Sequence, residues 1–126
     1  MKQKYLRCKV CGNIVEVVNE SGVPMMCCGQ KMEEIIPGTV EASVEKHVPV
    51  YEIKGNEVHV SVGSVDHPMI PEHYIEWVSI QTKQGSQRKY LTPNHEPKVI
   101  FQLVEGDELE SVFAYCNLHG LWKVER

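Results

Sequence analysis

Four of the five cysteines in this 126-residue chain lie within its first 28 residues, and their spacing limits how that segment can fold. Cys8 and Cys11 form a Cys-x2-Cys pair, whereas Cys27 and Cys28 are adjacent and precede Gly29. A segment shorter than about 40 residues rarely folds without metal ions, disulfides or oligomerisation. Four thiolates supplied by two turns are a donor set for zinc or iron. We therefore expect this segment to fold around a metal ion.

Two disulfides are the alternative for these four cysteines. The first residues are basic but lack the apolar stretch of a secretory signal, so we expect a cytoplasmic protein, in which thiols stay reduced. Neighbouring residues on a strand point to opposite faces, so Cys27 and Cys28 can share one ion only if the chain turns there. The net charge is −4 and the sequence has no basic stripe, so we expect no nucleic-acid partner. The sequence also lacks an apolar run long enough to span a membrane, so we expect no membrane partner.

Short runs rich in β-branched and aromatic residues follow Pro37 and Gly38, which mark the predicted domain boundary. Turn signals separate the runs, and valines alternate with polar residues in Glu57–Val62, as expected of a half-buried strand. No helical periodicity of useful length occurs. We predict a mainly β protein, with a small metal-bound module at residues 1–37 and an immunoglobulin-like antiparallel β-sandwich at residues 38–126. The predicted strands of the sandwich are Val48–Lys54, Glu57–Gly63, Tyr74–Lys83, Gln87–Leu91, Lys98–Leu103, Glu110–Tyr115 and Leu121–Glu125.

A second group of candidate metal ligands lies at the predicted loops and strand ends of the sandwich. Cys116 and His119 are three residues apart at the turn between the last two predicted strands, so both can reach one ion. His67 and His73 belong to a loop that contains two prolines, and His47 comes just before a strand. Functional side chains commonly lie on loops that a rigid sandwich positions. We expect the remaining histidines to be solvated: His59 and His95.

Two other functions fit part of this pattern. A blue-copper electron carrier is also a β-sandwich with a cysteine and a nearby histidine close to its C-terminus, but no methionine follows His119 to act as the weak axial ligand. A non-catalytic zinc-binding module would explain the N-terminal cysteines and leave the histidines and Cys116 without a role.

The motifs occur together and in the order found in a known family. The N-terminal segment resembles desulforedoxin, a small module that holds one iron in four thiolates. Four segments of the larger part are similar to the motifs of superoxide reductases: Glu45–Pro49, His67–Met69, His73–Ile75 and Cys116–Trp122. Over its whole length, the chain resembles the desulfoferrodoxin family, the two-iron form of these enzymes.

The resemblance implies two mononuclear iron ions per chain. The first iron would be bound by the four N-terminal cysteines: Cys8, Cys11, Cys27 and Cys28. The second, catalytic iron would have four equatorial histidines and one axial cysteine: His47, His67, His73, His119 and Cys116. Whether the first iron relays electrons or only stabilises the fold is left open.

The resemblance also implies an activity, the one-electron reduction of superoxide to hydrogen peroxide, with an external donor such as rubredoxin re-reducing the iron. Lys46 would attract superoxide and orient a proton-donating water. Glu45 would bind the oxidised iron in the resting enzyme. A homodimer is expected by analogy with a dimeric relative.

Overall fold

The computed structural model describes residues 2–38 and 44–126. The chain divides into two compact units, Met1–Ile36 and Pro37–Arg126. Residues 39–43, at the start of the predicted second domain, lie outside the described residues.

The first unit is built from five very short strands: β1 (Tyr5–Arg7), β2 (Ile14–Glu16), β3 (Met26–Cys27), β4 (Gln30–Lys31) and β5 (Glu33–Glu34). Strand β1 pairs antiparallel with β2 on one side and β5 on the other, and β3 and β4 form a separate hairpin. Its buried apolar side chains, within residues 2–36, are Tyr5, Cys8 and Met32. So small a core fits the expectation, made from the length and cysteines of this segment, that the unit folds around a metal ion.

The described residues of the second unit form an antiparallel β-sandwich of seven strands, as predicted. A four-residue helix α1 (Val44–His47) precedes a three-stranded sheet of order β10-β7-β6 and a four-stranded sheet of order β12-β11-β8-β9. The strands are β6 (Pro49–Lys54), β7 (Glu57–Val62), β8 (Ile75–Thr82), β9 (Ser86–Tyr90), β10 (Lys98–Gln102), β11 (Leu109–Cys116) and β12 (Gly120–Glu125). These bounds agree closely with the predicted strands, and the mainly β fold class is confirmed.

The core of the sandwich follows the alternation seen in the sequence. Val58, Val60 and Val62 of β7 are fully buried, and they pack with inward side chains of β8, β10 and β11. Burying one such side chain stabilises the fold by about 1.5–3 kcal/mol. The polar residues of β7 face outward, where His59 pairs with Glu57 at 3.0 Å. His95 is exposed, as expected.

Cys116, the last residue of β11, belongs to the core and is fully buried. The apolar interior therefore ends at a sulfur atom, next to the loops that carry the candidate histidines. No helix in residues 2–38 or 44–126 is long and apolar enough to cross a membrane.

Candidate metal centres

The adjacent cysteines of the first unit face one centre because the chain turns between them. Cys27 ends β3, and the two-residue loop to β4 consists of Cys28 and Gly29. Both loop residues have positive φ values, 52° and 72°, the pattern of a type I′ hairpin turn. The left-handed conformation of Cys28 is uncommon for a residue other than glycine. It supplies the turn that two neighbouring ligands require.

The four sulfur atoms of the first unit lie within 4.8 Å of one another. Cys27 Sγ is 3.6 Å from Cys11 Sγ and 3.9 Å from Cys28 Sγ. Four sulfurs around one ion, at metal–sulfur distances of about 2.3 Å, would be about 3.8 Å apart in a tetrahedron. The cluster therefore fits one tetrahedral metal ion.

The electrostatics of the cysteine cluster also favour a cation. Hydrogen bonds from the backbone N–H groups of Cys11 and Val10 lower the pKa of Cys8 to about 6, so this thiol is ionised at neutral pH. Hydrogen bonds with Cys11 and the other thiols raise the pKa of Cys28 to about 12. Without a cation, the four thiols do not ionise together at neutral pH, whereas a bound metal ion favours the thiolate form of each.

The second centre assembles residues from four separate parts of the sandwich. His47 ends α1, His67 follows β7, and His73 comes two residues before β8. Cys116 and His119 flank the turn between β11 and β12. Ligand atoms of four of these residues lie within 4.8 Å of one another: His47, His67, His73 and Cys116. The fifth, His119, joins them through its Nδ1 atom, 3.1 Å from His47 Nε2 and 3.9 Å from Cys116 Sγ.

The four imidazoles form a closed ring in the order His47, His67, His73, His119. Neighbouring rings are nearly perpendicular, with interplanar angles of 80°, 81°, 79° and 86° and centroid distances of 4.6–5.0 Å. The opposed rings of His47 and His73 are 28° from parallel and 6.2 Å apart. The four rings are therefore arranged around a common centre, as four ligands of one ion in a plane are.

Contacts between ring nitrogens fit a metal ion at this space. His47 Nε2 lies 3.1 Å from both His67 Nε2 and His119 Nδ1. Two nitrogens bound at a right angle to one ion at about 2.1 Å would be about 3.0 Å apart. His73 Nε2 is buried and has no hydrogen-bond partner in the described part of the chain. A buried, unpartnered nitrogen is costly unless an ion occupies it, so the donor set fits a metal.

Burial keeps the rings of His67 and His73 neutral and therefore able to bind a cation. Desolvation lowers the pKa of His67 to about 4. Desolvation, with His119 and Lys46 nearby, also lowers the pKa of His73. Burial raises the pKa of the Cys116 thiol, against the backbone N–H groups of His119 and Leu118, which stabilise its thiolate.

Groups behind the ligands hold two of the rings in place. His67 Nδ1 lies 2.7 Å from the carbonyl oxygen of Pro68; donating its proton there leaves Nε2 free as the metal-binding atom. The indole of Trp122 lies 5.0 Å from the His47 ring, and its Nε1–H donates to the carbonyl of His119 at 3.1 Å.

Glu45 and Lys46 directly precede His47 on helix α1. The Glu45 side chain is exposed and that of Lys46 is half-buried. The positive charge of Lys46 contributes, after burial and His119, to the lowered pKa of His73. The Glu45 carbonyl accepts hydrogen bonds from the backbone N–H of Val65, at 3.0 Å, and from Ser64 Oγ, at 3.2 Å.

Sequence reasoning missed three residues that shape these centres. Asn13 Nδ2 donates to Cys27 Sγ at 3.7 Å. Gly63 leaves room for the backbone of α1, and Asn117 bridges two ligand loops. Asn117 could have been found from the sequence, because it lies between the candidate ligands Cys116 and His119. The contacts of Asn13 and Gly63 could not, because they join residues distant in the sequence.

Comparisons with known proteins support both units. The desulfoferrodoxin N-terminal domain model matches residues 1–35, and the desulfoferrodoxin model matches residues 39–125. A desulfoferrodoxin homolog of Archaeoglobus fulgidus is 48% identical over 117 residues, covering 93% of this chain and 92% of its own. A superoxide reductase of Pyrococcus horikoshii is 38% identical over 99 residues, covering 64% of this chain and 85% of its own.

Solved structures agree with these matches. The crystal structure of the superoxide reductase from Treponema pallidum superposes with a TM-score of 0.83 at 37% identity, covering 99% of this chain and all of that one. The resemblance of the sequence to the family is thereby confirmed. With family models matching both units and a relative 48% identical over nearly its whole length, the chain belongs to the desulfoferrodoxin family.

Proposed function

We propose that this protein is a superoxide reductase, which converts superoxide to hydrogen peroxide at its second metal centre. One observation carries the proposal: four imidazoles, each nearly perpendicular to its neighbours, surround the buried and unpartnered His73 Nε2, beside the Cys116 thiol. The match to the superoxide reductase from Treponema pallidum covers 99% of this chain and so includes this centre. The overall reaction adds one electron and two protons to each superoxide.

Each unit holds one mononuclear iron ion, bound by its own donor set. The first iron is bound by Cys8, Cys11, Cys27 and Cys28. The second iron is bound by His47, His67, His73, His119 and Cys116. Five protein donors would leave one coordination position of the iron open for substrate. Ferrous iron there supplies the electron, and a thiolate donor raises the electron density available for reduction.

The protein residues around the second centre set its charge. The lowered pKa values of His67 and His73 keep these rings neutral, so they donate lone pairs without adding positive charge. Cys116 contributes a single negative charge, stabilised by the backbone N–H groups of His119 and Leu118. Four neutral donors and one thiolate leave the ferrous site with a net positive charge, which attracts an anionic substrate.

Lys46 and Glu45 act at different stages: Lys46 during the reaction with superoxide, and Glu45 in the oxidised resting enzyme. The Lys46 ammonium attracts superoxide and holds a water that donates a proton to the product. Glu45 carries negative charge, so it does not assist that encounter. Its carboxylate would be the group that binds the oxidised iron in the resting enzyme.

The reaction needs a reductant from outside the chain, and we propose a rubredoxin-like electron donor. We also propose that the protein acts in the cytoplasm as a homodimer. The five cysteines form no disulfide, which supports a reducing compartment. The first unit has short edge strands, β2 and β5, each paired on one side only, which supports the dimer. Gel filtration of the iron-loaded protein tests the dimer.

The activity is tested by product stoichiometry. Iron-loaded protein is mixed with a known dose of superoxide in the presence of a reduced donor, and hydrogen peroxide and donor oxidation are measured. A reductase yields one peroxide and oxidises one equivalent of donor per superoxide, whereas dismutation yields half as much peroxide and leaves the donor reduced. The variant His73→Ala should lose the activity, and the matched variant His59→Ala should keep it. Peroxide at half yield without donor oxidation would rule out the proposal.

Metal analysis with an optical spectrum tests the alternatives raised by the sequence. A trigonal copper site uses two histidines and one cysteine. The second centre instead has four imidazoles in a ring, which favours an octahedral ion. Iron–thiolate bands support the proposal, and a blue copper spectrum or a colourless zinc protein would contradict it.

A further inference from the structure

Asn117 lies between two of the proposed ligands, and its polar side-chain atoms bind a third part of the site. Its Nδ2 donates to the carbonyl of Glu72 at 3.0 Å, and its Oδ1 accepts the backbone N–H of Tyr74 at 3.0 Å. Its own backbone N–H donates to the carbonyl of Tyr74 at 3.2 Å. Three hydrogen bonds therefore join Asn117 to a segment more than 40 residues earlier in the chain.

The residues that Asn117 contacts stand immediately on either side of His73. His73 itself exchanges two backbone hydrogen bonds with Ile70, at 3.0 and 3.1 Å, across a loop of two residues. The backbone around His73 is thus fixed from within its own loop by Ile70 and from the loop of Cys116 by Asn117. The hydrogen bonds from Asn117 fix the position of His73 relative to the Cys116 thiolate.

His73 depends on this backbone support more than His67 does. The ring of His67 is oriented by its own hydrogen bond to Pro68. The Nε2 atom of His73 has no hydrogen-bond partner in the described part of the chain, so its position follows from where the backbone holds the residue. A displacement of about 1 Å in a supporting group is enough to impair a catalytic site.

We propose that Asn117 is a positioning residue that holds His73 in register with Cys116 and thereby keeps the second iron tightly bound. The inference rests on the ligand set of the proposed function. Outer-shell groups of this kind contribute about 10- to 100-fold to metal affinity or activity when they are removed singly. Asn117 touches neither iron nor substrate, so its effect passes through His73.

The test compares three variants of the iron-loaded, full-length protein. Asn117→Ala removes both side-chain hydrogen bonds. Asn117→Asp has the same size and keeps the acceptor for Tyr74 N–H. Asn56→Ala removes an exposed amide in the turn between β6 and β7, where the backbone carbonyl of Asn56 accepts the N–H of Leu103. The rate at which a ferrous chelator removes iron from each centre is measured, with the four-cysteine centre of the same molecule as internal reference. The electron paramagnetic resonance spectrum of the oxidised second centre is recorded in parallel.

We expect Asn117→Ala to lose iron from the second centre about 10-fold faster or more, to change the spectrum of that centre, and to leave the first centre unaltered. Asn117→Asp should lie between Asn117→Ala and the parent, and Asn56→Ala should match the parent.

An unchanged iron-release rate and spectrum in Asn117→Ala would overturn the inference. Equal effects on both iron centres would also overturn it. So would a loss of β structure, measured by circular dichroism, in both Asn117 variants. If the parent carries iron only in its first centre, the ligand assignment of the proposed function fails instead. If the release rates behave as expected in a parent that does not reduce superoxide, only the proposed activity fails.

Discussion

Gly63 packs against the carbonyl oxygen of Glu45 so closely that a Cβ atom at position 63 would lie 2.6 Å from it. The same Cβ would be 2.7 Å from the carbonyl oxygen of Val48. Both obstacles are backbone atoms, which cannot rotate away as a side chain can. The turn that follows β7 and the helix that carries Glu45, Lys46 and His47 therefore meet at a point where only glycine fits.

Gly63→Ala should displace helix α1 and with it His47. We expect the second unit to be destabilised by about 1–3 kcal/mol, as is typical of overpacking, and the second centre to lose iron while the first keeps it. Gly85→Ala is the matched control, because a Cβ there meets nothing within 4 Å. Urea unfolding and iron content measure both effects, and equal behaviour of the two variants would show that the helix can shift without consequence.

The two thiolate centres should respond separately to loss of one cysteine. Cys116→Ser removes the soft donor of the second centre, so its thiolate-to-iron absorption band should vanish and superoxide reduction should collapse. Cys28→Ser should disturb only the band of the first centre and leave most of the activity. Absorption spectra and superoxide kinetics of both variants test this, and a retained second-centre band in Cys116→Ser would show that the ligand is assigned wrongly.

The second unit should work without the first. A fragment of residues 37–126 contains the whole sandwich core and all five proposed ligands of the second iron. It should therefore fold, bind one iron and reduce superoxide when a reduced donor is supplied. Pure, iron-loaded fragment that does not turn over would show that the first centre is an obligatory electron relay.

Lys46→Ala should slow the encounter with superoxide, because a positive charge near an anion-binding site raises association rates about 10-fold or more. Added salt should slow this variant less than the parent. Lys54→Ala, at the far end of β6, is the matched charge control and should have little effect. Pulse radiolysis measures the rates, and equal rates for parent and Lys46→Ala would leave Lys46 an ordinary surface charge.

Glu45→Ala should behave differently from Lys46→Ala. The superoxide reaction should stay nearly as fast, since a carboxylate does not attract an anion. The absorption spectrum of the oxidised resting protein should shift, because water or hydroxide replaces the carboxylate. An unshifted spectrum would remove Glu45 from the site.

Acid should destabilise the metal-free protein through its buried histidines. Burial lowers the pKa of His67 from 6.5 to about 4, so between these pH values the unfolded chain binds more protons than the folded one. The free energy of unfolding is therefore unaffected by protonation of His67 above pH 6.5. It falls by up to about 3 kcal/mol as the pH drops from 6.5 to 4. Urea unfolding of the metal-free protein at several pH values measures the slope. A slope in His67→Gln as steep as that of the parent would contradict the assignment.

The sequence by itself determined the strands of the sandwich and the residue types at both centres. The alternation in Glu57–Val62 is a local pattern, and it predicted which side chains of β7 are buried. The turn signals located the seven strands closely, because glycine, proline and asparagine act on the backbone next to them. The spacing of the cysteines, together with the family resemblance, identified the candidate ligands before any distance was known.

Only the tertiary structure decided how these residues meet. The order of the imidazoles around the second centre, the approach of Gly63 to Glu45, and the bridge from Asn117 to Glu72 and Tyr74 all join residues far apart in the chain. Periodicity and spacing describe neighbours along the backbone, whereas these contacts depend on sheet register and on how the loops pack at the end of the sandwich. The turn at Cys28 is local and was expected from the adjacent cysteines, but the left-handed backbone conformation that produces it is seen only in the structure.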